Sequence, residues 1–190
     1  MQLRDARSAD AKDIARLANL AASGIPYYCW KTANPHRDPW AVGEEIVQKD
    51  TSDYSYKKCQ LLVSDNNVAA LLNSFRRTKI DTTAEISKLP PVVQPLARLE
   101  NQTVGNWYIN TLATSEDFQR QGCAARLLKR ADDLAREAGV SKNSLIVRSG
   151  NESALRLYEA LGFQVADNEK AIPFEGNLIG ENWMLMVKLL

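Results

Sequence analysis

The stretch Trp107-Tyr-Ile-Asn-Thr-Leu-Ala-Thr114, continued by Ser115-Glu-Asp-Phe-Gln-Arg-Gln-Gly-Cys-Ala124, decides the fold of this chain. Its first part alternates and is rich in aromatic and β-branched residues, which predicts a strand over residues 106–113. A polar turn follows, and then the apolar stripe of a long helix, which Gly139 closes: Leu127, Leu128, Ala131, Leu134, Ala135 and Ala138. The order is therefore strand, glycine-containing turn and helix N-terminus.

The turn at residues 119–124, called here the 119–124 turn, is suited to bind an anion. The first amides of a helix lack intrahelical acceptors, and the helix dipole favours negative charge there. Gly122 lets a phosphate approach the backbone, and the small Ala124 leaves room beside it. Tight packing at a helix start explains the small residues equally well. A P-loop fits less well, because the turn lacks a second glycine followed by Lys and Ser or Thr.

The rest of the chain predicts a mixed sheet with helices on its faces. Strands are predicted over residues 2–7, 58–64, 68–75, 144–147, 163–166 and 183–187, with a hairpin turn at Asp65-Asn66-Asn67. Helices are predicted from a cap at Ser8 or Asp10 to Gly24, from Asp38-Pro39 to about Lys49, over 91–100 with an interruption at Pro95, and over 152–161. Residues 77–90 and 167–180 are predicted as loops, and residues 27–30 as an irregular aromatic segment. With no repeat or linker in 190 residues, we expect one domain, residues 1–190.

Composition narrows the classes of function. The net charge is +1, with 45% hydrophobic and 25% charged residues, so the basic excess of a general nucleic-acid or membrane binder is missing. Three scattered cysteines and a single histidine, His36, make neither a disulfide framework nor a multi-histidine metal site. We therefore expect no metal, no nucleic-acid partner and no membrane partner.

The ends and the apolar stretches indicate the compartment. The N-terminus is charged from Arg4 and lacks the apolar core of a secretory signal. No stretch approaches the roughly 18 apolar residues of a spanning helix. These features predict a cytoplasmic protein with free thiols at Cys29, Cys59 and Cys123.

A second motif lies at Asn151-Glu-Ser-Ala-Leu-Arg-Leu-Tyr-Glu-Ala-Leu-Gly-Phe163. Together with Gln119-x-x-Gly122-x-Ala124 it resembles the signature of the GNAT superfamily of acyl-CoA N-acetyltransferases, broadly its ribosomal-protein N-terminal acetyltransferase branch. The resemblance covers residues 106–163. It implies an α/β (α+β) GNAT fold: a central mixed, mostly antiparallel sheet of six to seven strands, flanked by helices and splayed between strands 4 and 5.

The resemblance also implies a reaction. An acetyl group would pass from acetyl-CoA, the co-substrate, directly to a primary amine of a small molecule or peptide in a ternary complex, without a covalent enzyme intermediate. The alternative is a degenerate acyl-CoA-binding module that senses or regulates without turnover. The implied partner is the amine acceptor, and the chain is expected to be a monomer or a homodimer.

By the same resemblance, the cofactor contacts come from strand 4, from the 119–124 turn and from one helical face. They are Leu112, Ala113, Thr114, Gln119, Arg120, Gln121, Gly122, Cys123, Ala124, Asn151 and Tyr158. Asn151, Ala154 and Tyr158 are three and seven residues apart, so they share one face of a helix. Asn151 serves equally well as a helix N-cap. A nucleophilic role for Cys123 at the helix N-terminus is the weaker alternative to a variable position in the motif.

The resemblance assigns the chemistry only in part. Tyr158 would donate a hydrogen bond or proton to the leaving thiolate, and a backbone amide near Leu112 would polarise the thioester carbonyl. The base is open, because Ile146 stands where many relatives of this branch carry a glutamate. The candidates are Glu100, Asn110 acting through water, and Tyr108, although for Glu100 an exposed side chain without a role is the simpler expectation.

The acceptor site carries no motif. Tyr27, Tyr28 and Trp30 follow the first helix, where this family builds its acceptor site, and an aromatic lip can hold an amine by cation–π contact. An ordinary core cluster explains these three aromatic residues equally well.

Overall fold

A computed structural model describes residues 1–65, 67–175 and 181–190. Seven strands form one mixed sheet: β1 Gln2–Asp5, β2 Cys59–Ser64, β3 Asn67–Arg76, β4 Trp107–Thr114, β5 Lys142–Arg148, β6 Gln164–Lys170 and β7 Asn182–Leu189. The helices are α1 Ala11–Ala21, α2 Ile25–Ala33, α3 Pro39–Gln48, α4 Thr83–Ile86, α5 Gln94–Asn101, α6 Cys123–Glu137 and α7 Glu152–Ala160. None of the helices in this described part is long and apolar enough to cross a membrane.

The sheet has the strand order β1-β2-β3-β4-β5-β7-β6. The pairs β1–β2, β2–β3, β5–β7 and β6–β7 are antiparallel, whereas β4 and β5 are parallel. The parallel ladder joins Trp107–Ile109 to Asn143–Leu145, three pairs in strands of eight and seven residues. The prediction of a mixed, mostly antiparallel sheet whose strands 4 and 5 splay is therefore confirmed.

The chain divides into two compact units. The first comprises Met1–Ser74 and Asn110–Arg130, and its core lies between α1–α3 and strands β2–β4. Trp30 is the largest side chain of this core and is 5% exposed. It lies on Gly43 of α3, where a Cβ atom would come within 2.5–2.7 Å of the indole carbons. The absence of a side chain at residue 43 therefore lets α2 and α3 pack closely.

The second unit comprises Phe75–Ile109 and Ala131–Leu190. Helix α5 packs on β5, β6 and β7, and the buried side chains include Leu99, Tyr108, Leu145, Phe163 and Met186. Asp132 of α6 is a buried charge, and it accepts hydrogen bonds from Lys188 at 2.6 Å and Asn143 at 2.7 Å. The carboxylate is thereby compensated on both oxygens, as burial of a charge requires.

The structure corrects the prediction for residues 27–30, which belong to helix α2. Helix α1 ends at Ala21. Gly24 adopts φ 91° and is the N-cap of a new helix, which has Pro26 in its first turn. Aromatic residues have a modest helix propensity, but burial of Trp30 outweighs it. Tyr27, Tyr28 and Trp30 therefore lie within one helix, α2.

Residues 77–90 are not a continuous loop, because they contain α4. Its start is a capping box in which the amide of Glu85 donates to Thr82 Oγ1 and the amide of Thr82 donates to Glu85. Pro95 does not interrupt the next helix, since it occupies the first turn of α5, where its missing N–H costs nothing.

Two further expectations are revised near the C-terminus. The strand predicted over 163–166 is β6, which starts at Gln164 and continues to Lys170, so residues 167–170 are not a loop. Ala138 was expected in the apolar stripe of the long helix, but α6 ends at Glu137 and Ala138 is exposed. The predicted hairpin turn between β2 and β3 lies partly outside the described residues, at residue 66.

Candidate active site

The 119–124 turn lies where the sequence placed it, after β4, and its last two residues, Cys123 and Ala124, are the first residues of α6. A short 3-10 turn, Glu116–Phe118, comes first, and its amides are used locally: Phe118 N donates to Ser115 O at 2.9 Å. Ser115 N donates to Ala69 O of β3 at 2.9 Å, which fixes the end of β4. The side chains of Gln119, Arg120 and Gln121 are exposed.

Two residues of the turn have left-handed backbones. Arg120 has φ 58° and Gly122 has φ 78°. A non-glycine residue in this region costs about 1–3 kcal/mol, and such residues cluster at functional sites. A Cβ atom built on Gly122 would meet no atom within 4 Å, so the space beside its backbone is open. The turn therefore leaves room for a ligand to approach the backbone.

The helix α6 begins directly after this open space. Arg126 N donates to Gly122 O at 3.0 Å, so the i→i−4 bonds of the helix start there. The amides of the residues between these two lack intrahelical acceptors by the geometry of a helix start. Ala124 is half-buried and small. These amides and the helix dipole make the end of the turn suited to a phosphate.

Cys123 is a packing residue at this helix start. It is 3% exposed, its Sγ lies 3.4 Å from Met1 Sδ, and the thiol donates weakly to Phe118 O at 3.6 Å. Attack on a substrate requires access to the sulfur. The buried thiol therefore has the position of a core residue, which argues against a nucleophilic role.

The end of β4 alternates in burial. Ala113 is buried and belongs to the core of the first unit, whereas Leu112 and Thr114 are half-buried. Asn110 is also half-buried, and its Nδ2 donates to Asn73 Oδ1 at 2.8 Å. Sequence reasoning missed Asn73, which is 1% exposed; its signal was an asparagine directly after the apolar run of residues 68–72.

The three aromatic residues expected at the acceptor site have different surroundings. Trp30 is a core residue on Gly43. The ring of Tyr27 lies 5.0 Å from that of Trp40, and Trp40 lies 6.2 Å from Trp30. Tyr28 is half-buried on α2. Tyr27 and Tyr28 are therefore the two of the three whose side chains are partly exposed.

In the second unit, Glu100 is engaged and partly buried, which corrects the expectation of an exposed residue without a role. Its Oε1 accepts from the Tyr108 hydroxyl at 3.3 Å, and its Oε2 lies 3.3 Å from Arg77 Nη2. Arg77 is 4% exposed and also pairs with Asp81 at 3.1 Å. Both carboxylate oxygens of Glu100 are thus engaged, which leaves it poorly suited to accept a proton. Arg77, a buried cation, is a second residue that sequence reasoning missed.

Asn151 is the N-cap of α7. Its Oδ1 accepts from Ala154 N at 3.2 Å and from the Ser153 hydroxyl at 3.1 Å. This bond satisfies one of the free amides of the first turn. The capping role that the sequence offered for Asn151 is therefore present in the structure.

Tyr158 is buried on the same helix. It is 8% exposed, and its ring lies 5.9 Å from that of Phe163. Burial raises the pKa of the phenol to about 12. Tyr158 therefore keeps its proton at neutral pH and can donate a hydrogen bond or a proton to a developing anion.

The predicted site residues fall in both units. The first holds Asn110, Leu112, Ala113, Thr114, the 119–124 turn and the aromatic residues of α2; the second holds Glu100, Tyr108, Asn151 and Tyr158. Ile146, which stands where many relatives carry a glutamate, is half-buried and pairs with Leu185 of β7. Within the described ranges, no group of three or more His, Cys, Asp or Glu side chains could hold a metal ion.

Residues 29–163 match the model of the acetyltransferase (GNAT) family. The matched segment is most of the chain and contains the 119–124 turn, Asn151 and Tyr158. The chain belongs to the acetyltransferase (GNAT) family. Membership places it in the class of acyl-CoA-dependent N-acyltransferases, a family that uses acetyl-CoA.

One relative carries the name of an N-acetyltransferase. The ribosomal protein bS18-alanine N-acetyltransferase of Escherichia coli K12 is 42% identical over 55 residues, which are 29% of this chain and 37% of that relative. The match thus spans little more than a third of the relative's length.

Two solved structures show the same fold. The ribosomal-protein-S18-alanine N-acetyltransferase from Escherichia coli has a TM-score of 0.61 and 18% identity, covering 99% of this chain and 92% of that one. An agmatine N-acetyltransferase has a TM-score of 0.70 and 15% identity, covering 100% and 99%. At these identities the likeness shows the fold alone, and the acceptors named for the two proteins differ.

Proposed function

We propose that this protein transfers an acetyl group from acetyl-CoA to a primary amine of a small molecule or peptide, and that residues 1–190 act as one domain in doing so. The observation that carries the proposal is the 119–124 turn, in which left-handed Arg120 and Gly122 precede a helix within the matched GNAT segment. Direct attack by the amine in a ternary complex needs no enzyme nucleophile, which agrees with the burial of Cys123.

The residues present at the turn fit a pyrophosphate. The space beside the Gly122 backbone is open, and the side chains of Gln119, Arg120 and Gln121 are exposed. The amides at the start of α6 would donate to the phosphate oxygens. The proposed contacts to the pantetheine arm are the polar backbone groups of Leu112, Ala113 and Thr114, and Asn151 is a proposed contact in addition to its capping role.

Tyr158 is the proposed proton donor. A thiolate gains charge as the carbon–sulfur bond breaks, and a nearby phenol stabilises it by donating a hydrogen bond. The phenol of Tyr158, whose pKa burial raises to about 12, is protonated at neutral pH, as an exposed tyrosine also is, and can therefore serve as the donor. This role is proposed from the family motif and from the protonation state of the buried phenol.

The absence of a glutamate at Ile146 bears on the acceptor. An α-amino group has an ordinary pKa of about 8 and a lysine side chain about 10.4, so the neutral fraction at pH 7 differs about 250-fold. An α-amine therefore depends less on a base than an ε-amine does. We favour a peptide α-amine as acceptor, the class that the name of the Escherichia coli relative also indicates. Glu100, engaged with Arg77, and Tyr108, which donates to it, are the weaker candidates for a base.

Thiol release from acetyl-CoA tests the proposal. The panel consists of a short peptide that begins with alanine, the same peptide with an acetylated N-terminus as matched control, and agmatine. We expect release with the free peptide and none with the acetylated one. Acetyl-CoA binding by calorimetry without release on any panel amine would contradict turnover and would favour the acyl-CoA-binding sensor, the alternative that Ile146 supports.

A further inference from the structure

A row of three polar side chains crosses β2, β3 and β4 in the first unit. Cys59 is the direct partner of Asn73 in the β2–β3 ladder, and Asn73 is bonded in turn to Asn110 of β4. The Asn73 amide is 1% exposed and Cys59 is 2% exposed, so the first two members lie in the core. Asn110 is half-buried and forms the outer end of the row.

The hydrogen bonds of the row have a fixed direction. The Cys59 thiol donates to Ser55 O at 3.3 Å, and burial raises its pKa to about 12, so it keeps the proton that it donates. The sulfur is then available only as an acceptor, and Asn73 Nδ2 donates to it at 3.3 Å. The Asn73 oxygen must therefore face Asn110, whose Nδ2 donates to it at 2.8 Å.

The hydrogen bond from Asn110 to Asn73 fixes the orientation of the Asn110 side-chain amide. Because its amide nitrogen faces Asn73, the oxygen Oδ1 faces away from the buried row. Among residues 1–65, 67–175 and 181–190, no hydrogen-bond donor to Asn110 Oδ1 is found. Asn110 also lies two residues before Leu112, the position expected to face the reacting thioester. The row thus leaves a hydrogen-bond acceptor, rather than a donor, on the face of β4 that Asn110 shares with Leu112.

We propose that Asn110 Oδ1 accepts a hydrogen bond from the N–H of the amine that is acetylated, and that Asn73, oriented by Cys59, is the positioning residue that holds it. The inference rests on the proposed acetyl transfer and names how the acceptor is oriented. The amide oxygen takes no proton; the surplus proton of the amine leaves to water. Asn110 directs the nitrogen lone pair, which forms the new bond, toward the acetyl carbon.

Steady-state kinetics with the best amine of the panel test Asn110 and Asn73. We expect Asn110→Ala to lower kcat/KM for the amine about tenfold, the worth of one oriented hydrogen bond, while the calorimetric Kd for acetyl-CoA stays unchanged. We expect Asn73→Ala to cause a similar loss. The double variant should lose no more than either single variant, since both remove one interaction. Additive losses, or an Asn110→Ala variant within twofold of the parent, would overturn the proposal.

A matched pair at Cys59 separates orientation from simple packing. A serine hydroxyl can donate to Ser55 O and accept from Asn73, whereas alanine can do neither. We expect Cys59→Ser to keep kcat/KM for the amine within twofold of the parent and Cys59→Ala to lower it about threefold. Equal values for two folded variants would contradict the positioning role. A parent protein that releases no thiol with any amine refutes the proposed function instead, and the two failures are therefore distinguishable.

Discussion

Replacing Gly122 tests the 119–124 turn as the pyrophosphate site, because two substitutions there differ only in charge. Gly122 has φ 78°, and a Cβ atom at this position would meet nothing within 4 Å, so neither replacement clashes. Asparagine and aspartate have the same shape, and both tolerate a left-handed backbone better than most residues. The Kd of Gly122→Asn for CoA therefore reports the effect of the added side chain and of the loss of glycine. The Kd of Gly122→Asp contains the same effect and that of one negative charge.

The size of the charge effect follows from exposure. Gly122 is exposed, so a dielectric of about 60 applies, and a charge about 5 Å from a phosphate is repelled by about 1 kcal/mol. Two phosphate charges give about 2 kcal/mol, or roughly thirtyfold in Kd. Because salt screens exposed charges, the difference should shrink as ionic strength rises from 0.1 to 1 M, where the Debye length falls from about 10 to about 3 Å.

Calorimetric titration of CoA into both variants at the two ionic strengths measures this difference. Circular dichroism and thermal unfolding confirm that both variants are folded. If Gly122→Asp binds CoA within twofold of Gly122→Asn at low salt, no phosphate lies near Gly122 and the assignment of the turn is refuted. A thirtyfold difference that salt does not reduce would contradict its electrostatic origin.

Three further perturbations address catalysis and packing. Tyr158→Phe should lower kcat about a hundredfold by removing the donor, with an unchanged calorimetric Kd for acetyl-CoA; an unchanged kcat would remove Tyr158 from the mechanism. Gly43→Ala places a methyl within 2.5 Å of an indole carbon of α2 and should cost about 1–3 kcal/mol in urea unfolding, whereas an unchanged midpoint would show that the helices separate freely. Asp132→Asn leaves Lys188 without its charge partner and should lower the free energy of unfolding by about 2 kcal/mol. The control, Glu152→Gln, removes an exposed ion pair with the arginine one turn later and should cost less than about 0.5 kcal/mol. Equal costs for the two variants would contradict the effect of burial.

The elements that the sequence predicted correctly carry local signals. The start of α3 follows from Asp38-Pro39, and the carboxylate of Asp38 accepts from the amides of Trp40 and Ala41 as a cap should. The 119–124 turn follows from Gly122 between an alternating strand and an apolar stripe. Helix α4 also had a signal, the Thr82-x-x-Glu85 capping box, and its omission was an error of interpretation.

Other elements depend on contacts between distant parts of the chain. Helix α2 carries aromatic residues of modest helix propensity. It is stabilised because the Trp30 indole packs against Gly43, thirteen positions later, where no side chain stands in its way. Strand β6 is polar and largely exposed, so it shows no apolar alternation and is defined by its pairing with β7. Neither contact can be deduced from residues close in sequence.

The residues of the candidate site likewise fall into two groups, those with a local sequence signal and those whose contacts join distant parts of the chain. Gly122, Asn151 and Tyr158 were singled out because they match the two short motifs of the family resemblance, and their roles stay predictions. Glu100 was misjudged, because its ion pair with Arg77 joins residues from two sides of a long connection. An ion pair with a distant arginine makes a carboxylate a structural group and a weaker base, and such a pair cannot be deduced from residues close in sequence.

The connection between β3 and β4 is closed at its base by backbone bonds. Arg77 N donates to Asn106 O at 3.0 Å, and Gly105 N donates to Arg77 O at 2.8 Å. A loop tied at its base transmits little of its own variation to the strands that it joins, and the entropic cost of lengthening it grows only slowly. Exposed positions of this connection can therefore change during evolution or in a designed library while the ends of both strands keep their register, whereas the buried Leu99 and the Glu100–Arg77 pair keep its second half packed in the second unit.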